Sequence, residues 1–193
     1  MKKLMFMLGA VACAVGVQAA TVSWNLTGVN NGGSGVDGYA YVFNNKTGDY
    51  KTPDALKTEL AKYTTATAMQ AFLDANSLTA LNAAVSGGQV NVTGIDLATS
   101  GLPESTSGTR IFAVVFDSAT ITDDSSYYVT STSGGVKTPA ASTSNNAAFA
   151  IASQATATSG AGAWSTVAPA PEPTSGLLML IGMAGLALRR KQK

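Results

Sequence analysis

The chain has 193 residues, with 12 Lys and Arg against 11 Asp and Glu, no histidine and a single cysteine. The lack of histidine excludes every Ser-His and Cys-His nucleophile and every imidazole metal ligand, and one thiol cannot close a disulfide within the chain. The near-neutral total hides a split: Lys2, Lys3, Arg189, Arg190, Lys191 and Lys193 stand at the ends, the eleventh acidic residue, Glu172, lies ahead of the last four, and the body has six basic residues against ten acidic ones, which leaves no electrostatic footprint for nucleic acid.

Lys2-Lys3 followed by the apolar run Leu4 to Val17 and by Val17-Gln18-Ala19 has the three parts of a secretion signal. Signal peptidase is expected to cut between Ala19 and Ala20, making residues 1–19 the signal peptide. Cys13 leaves with it, so the mature body has no cysteine in spite of an oxidising destination. Val11-Ala12-Cys13 is a loose lipobox, but the residues after it stay apolar where a lipoprotein turns polar.

Val22, Trp24 and Leu26 alternate with Ser23, Asn25 and Thr27, the period of a half-buried strand over 21–29. Asn30 to Gly38 reads as a turn-rich loop, and Tyr39 to Phe43 resumes as a strand with Tyr39, Tyr41 and Phe43 on one face and Ala40 and Val42 on the other. The two strands are expected to pair as a hairpin. Gly33, Gly35 and Gly38 have the spacing of a dinucleotide fingerprint, but that chemistry needs the glycines to open a helix, and here they lead into an aromatic strand.

Thr52-Pro53-Asp54 is a helix start: a hydroxyl at the N-cap, proline at the first helical position and a carboxylate near the positive end of the dipole. Leu56, Leu60 and Tyr63 follow on one face. Met69, Phe72 and Leu73 mark a second helix ending near Asn76. A third is expected after Ser77, with Leu78, Leu81 and Val85 inward and Gly87-Gly88 as its stop. This helical insert, about 53–86, is expected to pack on a sheet.

Strands resume at Gln89 to Ile95, at Arg110 to Asp117, the densest β-branched and aromatic run and hence the expected central strand, at Ser126 to Thr132 and at Ala147 to Ser153. Residues 20–154 then form a mainly β body, and the roughly 150 residues left between the two end segments are enough for one domain with a real core. An antiparallel β-sandwich with a helical insert is the expected fold, and a mixed α+β sheet with helices on one face is the alternative. Residues 155–170 read as a flexible tether.

The chain closes on Pro171-Glu172-Pro173, an uncharged apolar run from Gly176 to Leu188, and the basic end Arg189, Arg190, Lys191 and Lys193. As a helix the run spans about 20 Å, short of the roughly 30 Å of a hydrocarbon core, so it suits a transient membrane anchor with its basic end inside and the body outside. The two prolines keep 171–173 stretched outside the bilayer, in the conformation that proteases and transpeptidases grip. In these parts and their order the tail resembles the PEP-CTERM family of exported Gram-negative bacterial proteins. That resemblance covers only some 26 residues, 168–193. It implies recognition and cleavage by an exosortase, an integral-membrane enzyme that accompanies exopolysaccharide production, and release to the cell surface or extracellular matrix.

For the body, no catalytic residue, metal or cofactor is expected. Glu104, Asp117, Asp123 and Asp124 are the carboxylates available for hydrolase chemistry, but they flank loops as turn residues do. Trp24, Tyr39, Tyr41, Tyr127 and Tyr128 are the candidates for stacking on a glycan such as exopolysaccharide. If the body is structural, Tyr39 and Tyr41 are buried and there is no cleft; if it binds glycan, at least two rings lie exposed and coplanar.

Overall fold

A computed structural model describes residues 19–46, 50–104, 108–139, 146–151 and 164–167. The expected signal peptide up to Gln18 and the whole sorting tail lie outside the described residues. The chain is mainly β.

Strand β1 (Thr21–Leu26) buries Val22, Trp24 and Leu26 and turns Ser23 and Asn25 outward, as its alternation predicts. It is the middle strand of a three-stranded sheet, pairing antiparallel with Val90–Asp96 and parallel with Asn146–Ala150. The parallel pair departs from the wholly antiparallel expectation; the long connection before residue 146 gives the chain room to return and run alongside β1. Against this sheet lies a second one of five strands, all neighbours antiparallel, in the order Ser165–Thr166, Ser126–Ser131, Ile111–Phe116, Gly38–Asn44, Ala83–Val85. In chain order the labels are β2 (Asn30–Asn31), β3 (Ser34–Gly35), β4 (Gly38–Asn44), β5 (Ala83–Val85), β6 (Val90–Asp96), β7 (Ile111–Phe116), β8 (Ser126–Ser131), β9 (Asn146–Ala150) and β10 (Ser165–Thr166).

The expected central strand, β7, is the third of the five, and all six of its side chains are buried. Ile111, Ala113 and Val115 join Val22, Trp24, Leu26, Ala40 and Val42 in a core between the sheets. Phe112, Val114 and Phe116 face the other way, into a second core closed by helices. That double burial is why β7 reads as an unbroken apolar run rather than an alternating one.

Helix α1 (Pro53–Leu60) starts as predicted, with Thr52 Oγ1 accepting from Ala55 N at 3.2 Å and proline in the first turn. Helix α2 (Ala66–Asn76) starts on Thr65, whose Oγ1 accepts from Ala68 N at 3.3 Å. An isolated helix below about 12 residues is marginal in water. Leu56 and Leu60 of α1 and Met69, Phe72 and Leu73 of α2 are buried in the second core, at about 1.5–3 kcal/mol for each such side chain. That burial, not intrinsic propensity, holds the helices. The sandwich and the helices on one sheet face thus coexist in one molecule.

Three connections differ from expectation. β1 and β4 do not form a hairpin; they belong to different sheets. The glycine-rich segment between them makes its own small hairpin, β2 with β3, whose turn residues Gly32 and Gly33 have φ of 63° and 89°, the mirror-image turn that only glycine adopts easily. No helix opens there, so the fingerprint spacing has no phosphate-binding geometry. The third helix is also absent: after Ser77 the chain makes one 3-10 turn (Thr79–Leu81) and enters β5. Leu78 N donates to Val42 O, and Asn82 Oδ1 accepts from Val42 N at 2.8 Å, so contacts with β4 override a helical spacing. Gly87 and Gly88, with φ of 55° and 72°, form the two-residue turn from β5 into β6, closed by a bridge from Ser86 to Gln89. They start a hairpin rather than stop a helix, and the helical insert ends at Leu81 instead of Ser86.

The third difference concerns the expected tether at 155–170. Residues 164–167 are held on the body: β10 pairs with β8, and Val167 is 1% exposed. An aromatic and a β-branched apolar side chain, three positions apart along an extended strand, point to opposite faces of the sheet. Trp164 packs against the first core and Val167 lies in the second.

Candidate functional site

The five candidate stacking rings are buried or half-buried. Trp24 is buried between the sheets, and its Nε1 donates to Leu81 O at 3.0 Å, which satisfies the one polar atom of the indole. Tyr41, Tyr127 and Tyr128 are buried as well, and burial pushes all three phenols above their ordinary pKa. The Tyr41 hydroxyl meets the Gln70 side-chain amide at 3.0 Å, and Gln70 Nε2 also donates to Asp74 Oδ1 at 2.7 Å. Tyr39 alone is half-buried, and its ring crosses that of Tyr41 at 61° with centroids 5.0 Å apart. A sugar-stacking platform needs accessible, roughly coplanar faces; these rings are packed edge to face or covered.

Four of the carboxylates accept hydrogen bonds from backbone N–H groups. Asp117 Oδ1 accepts from Ser126 N at 2.9 Å, and Asp123 Oδ1 from Ala66 N at 2.6 Å. Asp37 accepts from Gly87 N at 2.7 Å, and Asp96 from Ala98 N at 2.9 Å. These are capping and turn-closing roles. Among the described residues, no group of three or more acidic or thiol side chains gathers where a metal ion could sit.

Two of the depressions among the described residues are open and shallow. One, of about 440 Å³, lies on the outward face of the three-stranded sheet, among Ser23, Asn25, Asn91, Thr93, Ala148 and Ala150. Asn25 and Asn91 are direct cross-strand partners there, and the face is uncharged and built of small side chains. The other, of about 640 Å³, runs between α2 and the loop leading to β8, with Gln70, Asp74 and Thr120 on its walls.

The ends of the body carry the remaining sites. Ala19 is exposed, whereas Ala20 is 1% exposed and its carbonyl accepts from Leu97 N at 2.8 Å. The expected signal-peptidase bond is thus flush with the folded body. At the other end Val167 N donates to Ser125 O at 2.9 Å, and Trp164 Nε1 donates to Asn30 O at 3.0 Å. The Trp164 and Tyr128 rings lie 5.8 Å apart. Small polar residues surround this anchor in the sequence, and its one signal there is a lone tryptophan, a side chain with too much apolar area to leave in a free linker.

Residues 169–191 match the family model of the PEP-CTERM protein-sorting motif. The match takes in Pro171, Glu172, Pro173, the apolar run 176–188, Arg189, Arg190 and Lys191, and begins two residues after Val167. Such a motif implies export and exosortase-dependent sorting to the cell surface through a membrane-anchored intermediate. No curated protein and no solved structure matches the chain. Among the described residues no helix is long and apolar enough to cross a membrane; the run 176–188 lies outside them.

Proposed function

We propose that this chain is a structural protein of the cell surface or extracellular matrix, associated with exopolysaccharide and delivered by exosortase processing at 171–173 after signal peptidase has cut at Ala19–Ala20. The apolar run 176–188 serves as the membrane anchor of the intermediate, with Arg189, Arg190 and Lys191 on the inner side. The observation that carries this reading is the sorting motif at 169–191 joined directly to a two-core β body. Catalysis forms no part of it: the chain has no histidine, and Asp117 and Asp123 are engaged as backbone caps. The test is fractionation of cells with and without the exosortase. Mature chain in the surface fraction of the first, and full-length chain held in the inner membrane of the second, is the expected pair of results. Equal release from both strains rejects the sorting reading.

A second reading, glycan binding, draws support from the depression at Ser23, Asn25, Asn91 and Thr93, whose hydroxyl and amide groups suit a neutral polyhydroxy ligand. Retardation in an affinity gel containing purified envelope polysaccharide, lost in Asn25→Ala/Asn91→Ala without unfolding, would favour it. Unretarded migration through every fraction would count against it.

A further inference from the structure

Asn31 is the one asparagine in the chain that is followed by glycine. A side-chain amide at such a position is open to attack by the backbone nitrogen of the next residue, and glycine puts no Cβ in the way. The fold leaves this pair accessible. Asn31 is exposed, and Gly32, with φ of 63°, stands just outside the β2–β3 ladder at the first corner of the turn. Among the described residues the Gly32 N–H has no hydrogen-bond partner. A Cβ built at Gly32 or Gly33 meets nothing within 4 Å, so no packed atom opposes a rearrangement of the tip. The base of the hairpin is fastened, with Val36 N donating to Val29 O at 3.1 Å, Val29 N to Gly88 O at 3.0 Å and Trp164 Nε1 to Asn30 O at 3.0 Å. Beyond that base β2 and β3 have two residues each, and short exposed elements open locally at lower free energy than the global fold.

Two other pairs with a small second residue are closed. In Asp37-Gly38 the carboxylate accepts from Gly87 N at 2.7 Å, and a Cβ at Gly38 would collide with the backbone of Phe116. In Asn76-Ser77 the nitrogen that would attack, Ser77 N, donates to Leu73 O at 2.9 Å, and Asn76 Nδ2 donates to Phe72 O at 2.8 Å. The Asn31 side chain has a weaker tether. Its Nδ2 donates to Asp117 Oδ2 at 3.3 Å, long for a hydrogen bond to a carboxylate.

We propose that Asn31 is a self-modification site, converted in the folded protein to aspartate and isoaspartate by the Gly32 backbone nitrogen. That nitrogen gives its proton to water or hydroxide and bonds to Asn31 Cγ; the Cγ–Nδ2 bond breaks, and ammonia leaves a cyclic succinimide. Water then adds to one of the two ring carbonyls, and the C–N bond at that carbon breaks. Opening at Cγ leaves aspartate, and opening at the Asn31 main-chain carbonyl leaves isoaspartate. Nothing is oxidised or reduced: an amide and water become a carboxylate and ammonium. The new carboxylate faces Asp117 in place of the amide donor, so the conversion removes the hydrogen bond that ties the hairpin tip to the end of β7 and sets like charges against each other. Asp117 Oδ1 keeps its bond from Ser126 N, which leaves the connection between β7 and β8 closed. The site does not depend on the sorting reading.

The test is peptide mapping by fragment mass spectra of the full chain, purified in its folded form and sampled at intervals in neutral buffer, with a zero-time sample to measure conversion during digestion. The expected result is severalfold faster conversion at Asn31 than at any other asparagine, into aspartate and isoaspartate forms that elute apart, while the circular dichroism stays native. Conversion at Asn31 no faster than at Asn76, or conversion only in denaturant, overturns the site. Asn31→Gln lengthens the side chain and should abolish the signal; a signal that persists in that peptide belongs to Asn30 and also overturns the site. Asn31→Asp reads the consequence. Its urea midpoint should lie below that of the wild type at low salt, with the gap narrowing as salt rises, and an unchanged midpoint overturns the loosening of the tip.

Discussion

Asp123 Oδ1 accepts a 2.6 Å hydrogen bond from Ala66 N, so a loop carboxylate just before β8 caps the first turn of α2 across 57 positions of sequence. Thr65 caps the same turn from the N-cap position next to it. The acidic cap also opposes the positive end of the helix dipole. Asp123→Ala is expected to lower stability by about 1 kcal/mol and Asp123→Asn by less, since the amide still accepts the bond. Urea unfolding at low and high salt checks both, and the difference between them should shrink as salt rises.

Trp24 makes a comparable link between the cores' supports, its indole tying β1 to the 3-10 turn at Leu81. Trp24→Phe removes the donor and leaves the Leu81 carbonyl buried without it, at about 1–3 kcal/mol. Denaturant midpoints of the variant and wild type read that loss directly. A change below about 0.5 kcal/mol would mean that the indole is a free surface ring after all.

Much of this was legible in the sequence because it depends on local pattern. The alternation through Trp24, the split of Tyr39, Tyr41 and Phe43 from Ala40 and Val42, the Thr52-Pro53 helix start and the central run at 111–116 all follow from period and capping. What failed depended on non-local contacts. Leu78, Leu81 and Val85 fit one helix face equally well as a turn followed by a strand, and only Val42, far away in sequence, decides between them. β1 and β4 look like hairpin neighbours until the small hairpin between them carries the chain to the other sheet. The sorting tail was legible for the opposite reason: its order of proline break, apolar run and basic end is a linear address.

Gly38 begins β4 where β7 ends. A Cβ there would lie 1.9 Å from Phe116 O and 2.9 Å from Phe116 C, both backbone atoms that cannot swing aside. Gly38→Ala must therefore push apart the central strand pair. The expected loss is about 3 kcal/mol or more, read as a lowered melting temperature or a fall in soluble yield, against Gly134→Ala, whose Cβ meets nothing within 4 Å.

Burial raises the phenol pKa of Tyr41, Tyr127 and Tyr128. In the unfolded chain a tyrosine ionises near pH 10, so above that value the folded state holds more protons than the unfolded one and stability falls as pH rises. The stabilisation is complete below about pH 10 and is lost as the pH climbs through the raised folded values. Urea midpoints should drop from about pH 10 upward, and Tyr41→Phe should make that drop shallower. Phenolate absorbance should appear late, together with unfolding.

Sorting as proposed exports the folded body and parts it from its tail. The most direct measurement is the C-terminal mass of the protein recovered from its native cell surface. The expected chain ends between Pro171 and Ser175, carrying any group the enzyme has joined to it. A surface protein that still ends in Arg189 to Lys193 would contradict it, and would make the tail a permanent anchor.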